Sequence, residues 1–281
     1  MPFEIQLTGL FKTLGCLIMN DQELRDYLAQ ASVSLSVIMP VYNEVTRVSA
    51  AIKEVLKAAE TFDIELIIVE SASSDGTREI VQGFFGHPKV TLILQDKPLG
   101  KGNAVREGLK IAGKRIVCVF DSDLEYAFAD VFNLLLPIAE GKSEFVLGSR
   151  WAGHSIRDFE THSWKGTLLN VAHVIGAQLI NVSYGIKTQD PFTMWKVFTR
   201  ESIHEIEFIC ERFDWDLEVI GELALRGIKP IEVPATYRSR DYSQGKKIRF
   251  SKEVPILLKV IFRISIKRVR RVSLKRKGVA N

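Results

Sequence analysis

Cysteine is scarce in this 281-residue sequence, and its distribution argues against a cysteine-based scaffold. The three cysteines, Cys16, Cys118 and Cys210, lie far apart and show no metal-ligand spacing. An odd and sparse set favours a reducing compartment. Residues 1–20 lack the basic start and the cleavage site of a signal peptide. We therefore expect a cytoplasmic protein.

A long hydrophobic run free of charge is also missing. The most apolar stretch, residues 254–274, contains six basic residues. Each basic residue near the centre of a membrane-spanning helix costs about 2.5–3.5 kcal/mol, so four central ones would cost on the order of 10–14 kcal/mol. The stretch is therefore not expected to cross a membrane.

The same stretch is amphipathic on a helical wheel, with Arg268 as the exception. Its basic face holds Lys259, Arg263, Lys267 and Arg270. Its apolar face holds Leu257, Leu258, Ile261, Phe262, Ile264, Val269 and Val272. A helix of this kind lies in a membrane interface. The alternative is a basic tail that packs on an acidic body.

Charge is distributed unevenly along the chain. Residues 246–281 carry thirteen Lys or Arg and one acid, Glu253, for a charge of +12. Since the whole chain carries +4, the remaining residues carry −8. This asymmetry predicts an anionic partner for the tail, which we expect to be the inner face of a membrane and not nucleic acid.

Two common nucleotide-binding signatures are absent. Gly100-Lys101-Gly102 does not satisfy Gly-x-x-x-x-Gly-Lys-Ser/Thr, and no Gly-x-Gly-x-x-Gly follows the first predicted strand. P-loop kinase and dehydrogenase functions therefore lose support.

Strands and helices alternate from residue 35 onward, which predicts an α/β fold with a Rossmann-like, mainly parallel sheet. Strands are predicted at residues 35–39, 65–69, 90–94, 116–120, 145–147 and 231–234, with a turn entering a further strand at 190–198. Helices are predicted at residues 48–59, 78–85, 100–112, 131–139, 167–180 and 214–226. A polar loop spans residues 151–165.

Three carboxylates follow the central strand at spacing two: Asp121, Asp123 and Glu125. In an extended segment this spacing places the side chains on one side, at the sheet edge where α/β proteins bind ligands. Oxygen clusters of this kind suit Mg²⁺ or Mn²⁺ carrying a diphosphate. The alternative is an ordinary polar loop.

Other strand ends predict complementary contacts. Residues 40–44 present Pro40, backbone groups and the aromatic Tyr42, and Glu70 is placed to accept hydrogen bonds from a ribose or base. Lys101 lies at a helix start, where free N–H groups attract anions. Together these loops are suited to hold a nucleotide, a diphosphate and a metal.

Five motifs in order resemble the family-2 inverting glycosyltransferases, and among them the dolichyl- or polyprenyl-phosphate glycosyltransferases. They are Pro40-Val41-Tyr42-Asn43-Glu44, Ser73-Ser74-Asp75-Gly76-Thr77, Gly100-Lys101-Gly102, Asp121-Ser122-Asp123 and Gly148-Ser149-Arg150. The resemblance covers residues 34–250 and implies a glycosyltransferase A-type fold and a nucleotide-diphosphate sugar donor. Two positions depart from it: Glu70 stands where the family usually has Asp, and Glu125 where many lipid-phosphate mannosyltransferases have Gln.

The resemblance also implies roles for individual residues. Pro40, Tyr42, Glu44, Glu70, Lys101, Asp121 and Ser122 would contact the nucleotide-sugar, and Asp121, Asp123 and Glu125 the metal. Arg150 would hold phosphate oxygens through its planar guanidinium. Asp190 and Asp216 resemble acidic positions near the acceptor, although Asp216 also fits an ordinary first-turn acid of a helix.

The acceptor decides whether a catalytic base is needed. A hydroxyl acceptor requires a carboxylate to take its proton, whereas a phosphate acceptor is already ionised. Arg157, Lys165, Lys246 and Lys247 are placed to bind such a phosphate, or are simply solvated.

We therefore expect a metal-dependent inverting glycosyltransferase acting on a polyprenyl or dolichyl phosphate at a membrane surface. The alternatives are a hydroxyl acceptor on a glycan or small molecule, a silent nucleotide-binding module, or a sugar nucleotidyltransferase, whose Gly-rich signature is absent. The expected organisation is an N-terminal helical appendage (1–33), a catalytic domain (34–250) and a basic tail (251–281). The appendage is expected to pack on the body, and the alternatives are a membrane contact or an oligomer contact.

Overall fold

A computed structural model describes residues 19–151, 164–238 and 250–276. The strands are β1 Leu35–Val41, β2 Ile64–Glu70, β3 Val90–Leu94, β4 Ile116–Val119, β5 Phe145–Ser149, β6 Lys196–Thr199 and β7 Ile231–Pro234. The helices are α1 Asp21–Gln30, α2 Val48–Ala59, α3 Thr77–Gln82, α4 Lys101–Ile111, α5 Val131–Ala139, α6 Trp164–Tyr184, α7 Trp215–Leu225 and α8 Phe250–Arg276. Elements α2, α5, β3 and β7 begin and end where the sequence predicts.

Several predicted boundaries differ from the structure. Helix α6, predicted at residues 167–180, spans Trp164–Tyr184. The helix predicted to reach residue 85 ends at Gln82, with Gly83 as its C-cap. The first strand continues through Pro40, where we expected it to stop. Ser122 donates a hydrogen bond to Pro40 O at 3.4 Å, so the backbone of Pro40 faces the β4 side, and β4 pairs with β1 only as far as Ile38. The missing N–H of Pro40 therefore removes no ladder bond.

The seven strands form one sheet in the order β3-β2-β1-β4-β6-β5-β7. Strand β1 is parallel to both neighbours, with Leu35 opposite Ile64 on β2 and Ile116 on β4. Strand β6 is antiparallel to β4 and β5, because the chain enters it from the carboxyl edge of the sheet. The mainly parallel sheet is confirmed, and the order reverses beside β1 and β4, where such sheets bind ligands.

Both faces of the sheet are covered, which explains why its central strands are apolar throughout. Leu35, Val37 and Met39 join one core with α1, α2 and α5, while Ile38 joins a second core with α4, α6, α7 and α8. The helices cover the two faces of the sheet. The carboxyl ends of the parallel strands therefore form an open edge between the two cores.

Helix α1, which lies in the last part of the predicted N-terminal appendage, packs on the body. Asn20 forms a capping box with Glu23, and Leu24 and Leu28 are buried. The guanidinium of Arg25 lies 4.2 Å from the ring centroid of Phe132 on α5. Residues 1–18, which belong to the same predicted appendage, lie outside the described residues.

Helix α8 also packs on the body, through both its apolar and its basic side chains. Val260, Ile261 and Ile264 are buried in the second core. Arg263 Nη2 pairs with Glu218 Oε1 at 2.6 Å. Arg268, which broke the helical-wheel pattern, donates to Val182 O at 2.7 Å and so caps the end of α6.

The helical-wheel assignment of the apolar face of α8 was therefore wrong in part. Ile261 and Ile264 face the body, while Leu258, Phe262 and Val269 are exposed. Helix α8 therefore carries one buried and one exposed apolar stripe. A helical wheel cannot separate the two, because it contains no information about the neighbouring helices. None of the helices in the described ranges combines the length and apolar character needed to cross a membrane.

Candidate active site

The loops after β1 and β2 hold each other at the carboxyl edge of the sheet. Asn43 N donates to Ser73 Oγ at 2.9 Å, and Ser74 N donates to Asn43 Oδ1 at 2.9 Å. Val45 N donates to Asp75 Oδ2 at 3.2 Å. These reciprocal hydrogen bonds join the two loops and hold them in a fixed arrangement beside β1.

The three residues predicted in the first loop are presented differently. Tyr42 is 39% exposed, so its ring offers a surface on which a planar base can stack. Glu44 is buried, and its backbone N–H donates to Thr77 Oγ1 at 2.8 Å. Pro40 is half-buried at the end of β1. Among these three, Tyr42 has the most accessible side chain.

Glu70 does not face the open edge. It is fully buried, and Oε1 accepts a hydrogen bond from Ser73 N at 2.6 Å. Oε2 pairs with Arg78 of α3, which also donates to Gln95 O. Both oxygens of Glu70 thus bind protein groups, and its predicted contact with the nucleotide stays a prediction.

The glycines of Gly100-Lys101-Gly102 permit a close approach and do not form a phosphate loop. A Cβ on Gly102 would lie 2.6 Å from Cys210 O and 2.8 Å from Trp215 Cβ. Gly102 N donates to Arg212 O at 3.2 Å. Helix α4 can therefore press against the segment before α7, which positions Lys101.

Lys101 links two acidic residues at the open edge. Its Nζ lies 3.0 Å from Asp121 Oδ1 and 3.6 Å from Asp216 Oδ2. Burial alone would lower the pKa of Lys101, but the two carboxylates outweigh burial and raise it. Burial, together with the charges of Asp216 and Glu125, raises the pKa of Asp121 despite Lys101.

The three carboxylates predicted to bind a metal are not assembled into one group. Across residues 19–151, 164–238 and 250–276, no three His, Cys, Asp or Glu side chains are arranged to hold an ion. Leu124 has φ = 58°, so the chain turns between Asp123 and Glu125 and the extended geometry behind the spacing argument is lost. Glu125 Oε2 instead accepts a hydrogen bond from Tyr237 at 2.8 Å.

The donor set nevertheless fits a divalent ion shared with a diphosphate. Mg²⁺ is usually held by one or two carboxylates plus substrate phosphates. Asp121 and Asp123 are half-buried at this edge and have hard oxygen donors. The edge is also acidic, since the lysines Lys101 and Lys196 accompany the carboxylates of Asp121, Asp123, Glu125 and Asp216. A diphosphate would therefore be repelled here unless a cation accompanied it.

Arg150 and Asp190 form a buried bidentate pair. Arg150 Nε and Nη2 donate to the two oxygens of Asp190 at 2.7 and 2.6 Å, and Arg150 N donates to Oδ2 at 3.0 Å. Burial alone would raise the pKa of Asp190, but Arg150 outweighs it and lowers that pKa. The guanidinium lies 5.2 Å from the ring centroid of Tyr237.

Glu232 on β7 holds the segment that contains Asp190. Its Oε1 accepts hydrogen bonds from Asp190 N and Thr188 Oγ1, both at 2.7 Å, and its Oε2 accepts one from Gln189 N at 2.7 Å. The aspartate is thus held through backbone and side chain together. These contacts support a positioning role for Asp190, and its catalytic role stays a prediction.

Asp216 lies between two lysines in the first turn of α7. It is 3% exposed, and Oδ1 lies 3.1 Å from Nζ of Lys196 on β6. These are charge pairs and not aligned hydrogen bonds, since neither oxygen of Asp216 meets hydrogen-bond geometry. Burial and the charge of Lys101 lower the pKa of Lys196, although Asp216 opposes them.

Sequence reasoning missed Lys196, Tyr237 and Glu232. Lys196 carried a usable signal, because a lysine between Trp195 and Val197 interrupts an apolar strand and a buried lysine needs a partner. Tyr237 and Glu232 carried no such signal in the sequence, since their partners lie more than 40 residues away in the chain.

The predicted acceptor residues are not placed. Arg157, Lys246 and Lys247 lie outside the described residues, and the structure gives the backbone of Lys165 at the start of α6 but not its side chain. Their proposed contact with an acceptor phosphate stays a prediction.

A mainly parallel sheet covered by helices on both faces defines an α/β protein whose loops at the carboxyl edge form the candidate site. More specifically, the chain belongs to glycosyltransferase family 2, because the model of the family described as Glycosyl transferase family 2 matches residues 36–206. The family predicted from the five motifs is thereby confirmed.

Curated relatives agree with this assignment. Glycosyltransferase AglJ of Haloferax volcanii is 28% identical over 212 residues, covering 74% of this chain and 64% of that protein. A dolichyl-phosphate beta-glucosyltransferase of Trichomonas vaginalis is 27% identical, covering 82% and 73%. A dolichol-phosphate mannosyltransferase of Pyrococcus furiosus is 24% identical, covering 76% and 59%. The chain thus spans less than two thirds of the length of the first and third relatives.

Solved structures confirm the glycosyltransferase A-type fold. Mannosyl-3-phosphoglycerate synthase from Rubrobacter xylanophilus superposes with a TM-score of 0.62 at 16% identity, covering 94% of this chain and 81% of that one. Glucosyl-3-phosphoglycerate synthase from Mycobacterium tuberculosis, in complex with Mn²⁺, UDP and phosphoglyceric acid, superposes with a TM-score of 0.60 at 17% identity, covering 95% and 85%.

Proposed function

We propose that this chain transfers a sugar, with inversion, from a nucleotide-diphosphate sugar to a polyprenyl or dolichyl phosphate at the cytoplasmic face of a membrane. A divalent cation, Mg²⁺ or Mn²⁺, would neutralise the departing diphosphate as a Lewis acid. The choice of a phosphate acceptor rests on the burial and the ion pairing of the two candidate bases. Asp190 and Asp216 are 0% and 3% exposed, and both are engaged by cations.

A buried, ion-paired carboxylate is poorly placed to take a proton from a hydroxyl group. A phosphate acceptor is ionised before it arrives and needs no such base. The names of two relatives, a dolichyl-phosphate glucosyltransferase and a dolichol-phosphate mannosyltransferase, agree with this choice.

The remaining roles follow from the positions of the side chains. Tyr42 offers a stacking surface for the base, and Asp123 is the best placed ligand for the cation, with Asp121 beside it. Lys101 neutralises Asp121 and approaches Asp216. Arg150 lies at the same edge, where Asp190 holds its guanidinium in place. The acceptor phosphate then attacks the anomeric carbon in line with the departing diphosphate.

The acceptor assay tests this proposal. Full-length protein is incubated with UDP- and GDP-sugars, Mn²⁺, and either a short-chain polyprenyl phosphate or a panel of glycan and small-molecule alcohols. We expect a glycosyl phosphate product of inverted anomeric configuration from the lipid phosphate. Products formed only from hydroxyl acceptors would contradict the proposed acceptor, and no turnover with any donor would favour a silent nucleotide-binding module.

Asp216→Asn distinguishes the two acceptor chemistries. With a phosphate acceptor, transfer by the folded variant should fall by less than about tenfold, because no proton needs to be removed. Loss of a general base would instead cost about 10²–10⁴-fold. The measurement is kcat for transfer together with donor affinity, which should be retained. Denaturant unfolding is measured in parallel, since the substitution also removes the counter-charge of buried Lys196. A fall of about 10²-fold or more with donor binding intact would identify Asp216 as a base and favour a hydroxyl acceptor.

A composite apolar surface supports the membrane contact. Helices α6 and α8 contact each other, and each exposes a stripe at helical spacing. Three residues of α6, Val171, Ile175 and Val182, are 49%, 64% and 74% exposed. On α8, Phe262 and Val269 are 68% and 69% exposed. Scattered apolar residues are normal on a surface, but an exposed apolar stripe on each of two contacting helices, one of them basic, fits an anionic lipid interface.

Phe262→Ser should weaken binding to anionic liposomes by about tenfold or more, since burial of a Phe side chain is worth about 1.5–3 kcal/mol. Binding should also weaken with salt, because anionic lipid attracts exposed basic residues and that attraction is screened. Co-sedimentation measures both effects. Phe85→Ser is the matched control, since Phe85 is 83% exposed but follows α3, away from α6 and α8. Equal losses in the two variants would contradict the assigned surface.

A truncation after Phe250 would test the same surface less specifically than these point variants. That cut would also remove Val260, Ile261 and Ile264 from the core, so a loss of lipid binding could come from a damaged body. The Phe262→Ser variant avoids this ambiguity, because most of the Phe262 side chain is exposed and its loss should not damage the core.

A further inference from the structure

A second cavity lies at the opposite edge of the sheet from the candidate active site. It occupies about 930 Å³ between the second half of α4 and the segment that follows β6. Arg115 immediately precedes β4, whereas Asp121 follows the same strand. The six residue steps from Arg115 to Asp121 span roughly 20 Å at about 3.3 Å per residue, so one ligand cannot occupy both places by its phosphate groups alone.

The lining of this cavity is positively charged. Arg106, Arg115 and Arg200 contribute guanidinium groups, Lys110 lies beside them, and the carboxylate in the lining is that of Glu201. The three arginines come from α4, from the residue before β4 and from the residue after β6. The fold, and not a local run of basic sequence, therefore brings these charges together.

Neutral carbonyl groups hold two of these guanidinium groups. Arg200 Nη1 donates to Ala112 O at 3.2 Å, and Arg106 Nη1 donates to Phe208 O at 3.0 Å. Arg106 also lies 3.9 Å from Glu211, whose side chain is 62% exposed. A carbonyl fixes the position of a guanidinium without cancelling its charge, so Arg200 keeps donors and charge for an anion.

The floor of the cavity is apolar. Leu109, Ile203 and Ile206 are half-buried in its lining, and Phe208 closes it. Small-molecule sites combine such a floor with a few charged groups that fix orientation. A purely polar anion would use the arginines and leave this surface uncovered.

We propose that this cavity binds an organic anion, in which a phosphate, sulfonate or carboxylate group is attached to an apolar body. The anionic group would contact Arg115 and Arg200, and the apolar body would lie on Ile203 and Ile206. The site is separate from the glycosyl-transfer site and does not depend on the acceptor proposed above. Helix α4 joins the two sites, since it carries Lys101 at its start and Arg106 in its second half.

The test uses full-length protein labelled with ¹³C at the isoleucine δ1 methyl groups, in metal-free buffer, titrated with 1-naphthyl phosphate or with inorganic phosphate. We expect saturable shifts at Ile203 and Ile206, with 1-naphthyl phosphate binding at least about tenfold more tightly than inorganic phosphate. Equal affinities would overturn the apolar half of the proposal. No shift at either methyl group up to about 5 mM would overturn it entirely.

Charge-neutral variants test the anionic half. The double variant Arg115→Gln/Arg200→Gln keeps side-chain donors and should weaken 1-naphthyl phosphate binding by about tenfold or more. Lys53→Gln/Lys57→Gln removes the same charge from the exposed face of α2 and should leave binding unchanged. An equal effect of both double variants would show attraction to net charge only and overturn the site. Unchanged methyl spectra of the free variants verify that each is folded.

Discussion

Asp123→Asn is expected to reduce sugar transfer by about a thousandfold or more. A divalent ion supplies several kcal/mol of charge stabilisation in reactions of this kind, and about 1.4 kcal/mol corresponds to a factor of ten. Asp123 Oδ1 accepts a hydrogen bond from Glu125 N at 3.1 Å. Asparagine keeps that acceptor and the local turn while it removes the charge that would bind the ion.

The decisive measurement is donor binding by calorimetry with and without Mn²⁺. The metal-dependent part of donor affinity should disappear in Asp123→Asn and in Asp123→Ala, whereas Asp26→Ala, an exposed aspartate on α1, should behave like the unmodified chain. Loss of transfer with metal-dependent donor binding intact would show that Asp123 is not a metal ligand.

Asp190→Asn is expected to lower the free energy of unfolding by about 3–5 kcal/mol, because it leaves a buried guanidinium without its counter-charge. The side chains of Arg150 and Asp190 are 7% and 0% exposed, so solvent cannot compensate the loss. Denaturant unfolding measures the effect. Asp63→Asn is the control, because Asp63 pairs with Lys114 at 2.8 Å while 52% exposed, and exposed pairs contribute about 0–1 kcal/mol.

The same pair predicts a pH dependence. The pKa of Asp190 is lower in the folded protein than in the unfolded chain, where it is about 3.9. Its contribution to stability is therefore complete well above pH 4 and is lost as the pH falls through the folded value. The stability difference between the unmodified chain and Asp190→Asn should shrink below about pH 4. A difference that stayed constant into acid would contradict the ionised pair.

The order of elements was predictable because it depends on local patterns. The apolar runs of β1, β2 and β4 and the 3.6-residue periodicity of α2 predict strands and a helix that the structure confirms. The motifs at the strand ends were also visible, since each lies where a strand pattern stops. Parallel strands share one carboxyl edge, so the motifs were expected to meet there.

Side-chain partners were harder to predict than strand ends, because spacing along the chain does not show which groups a carboxylate meets. The carboxylate of Glu70, predicted to contact the nucleotide, also binds the guanidinium of Arg78 and the backbone N–H of Ser73. Glu125 was expected to bind metal with two aspartates, but the left-handed turn at Leu124 separates it from them and Tyr237 engages it. A spacing rule assumes extended backbone, and the turn violates that assumption.

By itself, the sequence determined the family, the glycosyltransferase A-type fold and the strand ends that form the candidate site. Periodicity and motif order are properties of neighbouring residues, and burial of the apolar positions leaves few arrangements for them. The tertiary structure alone decided which charged groups pair with each other: Arg150 with Asp190, Lys196 with Asp216, and Arg263 of α8 with Glu218. Those pairings depend on distances of about 3 Å between elements far apart in the chain, and at such distances desolvation and Coulomb attraction decide which groups remain available to a ligand.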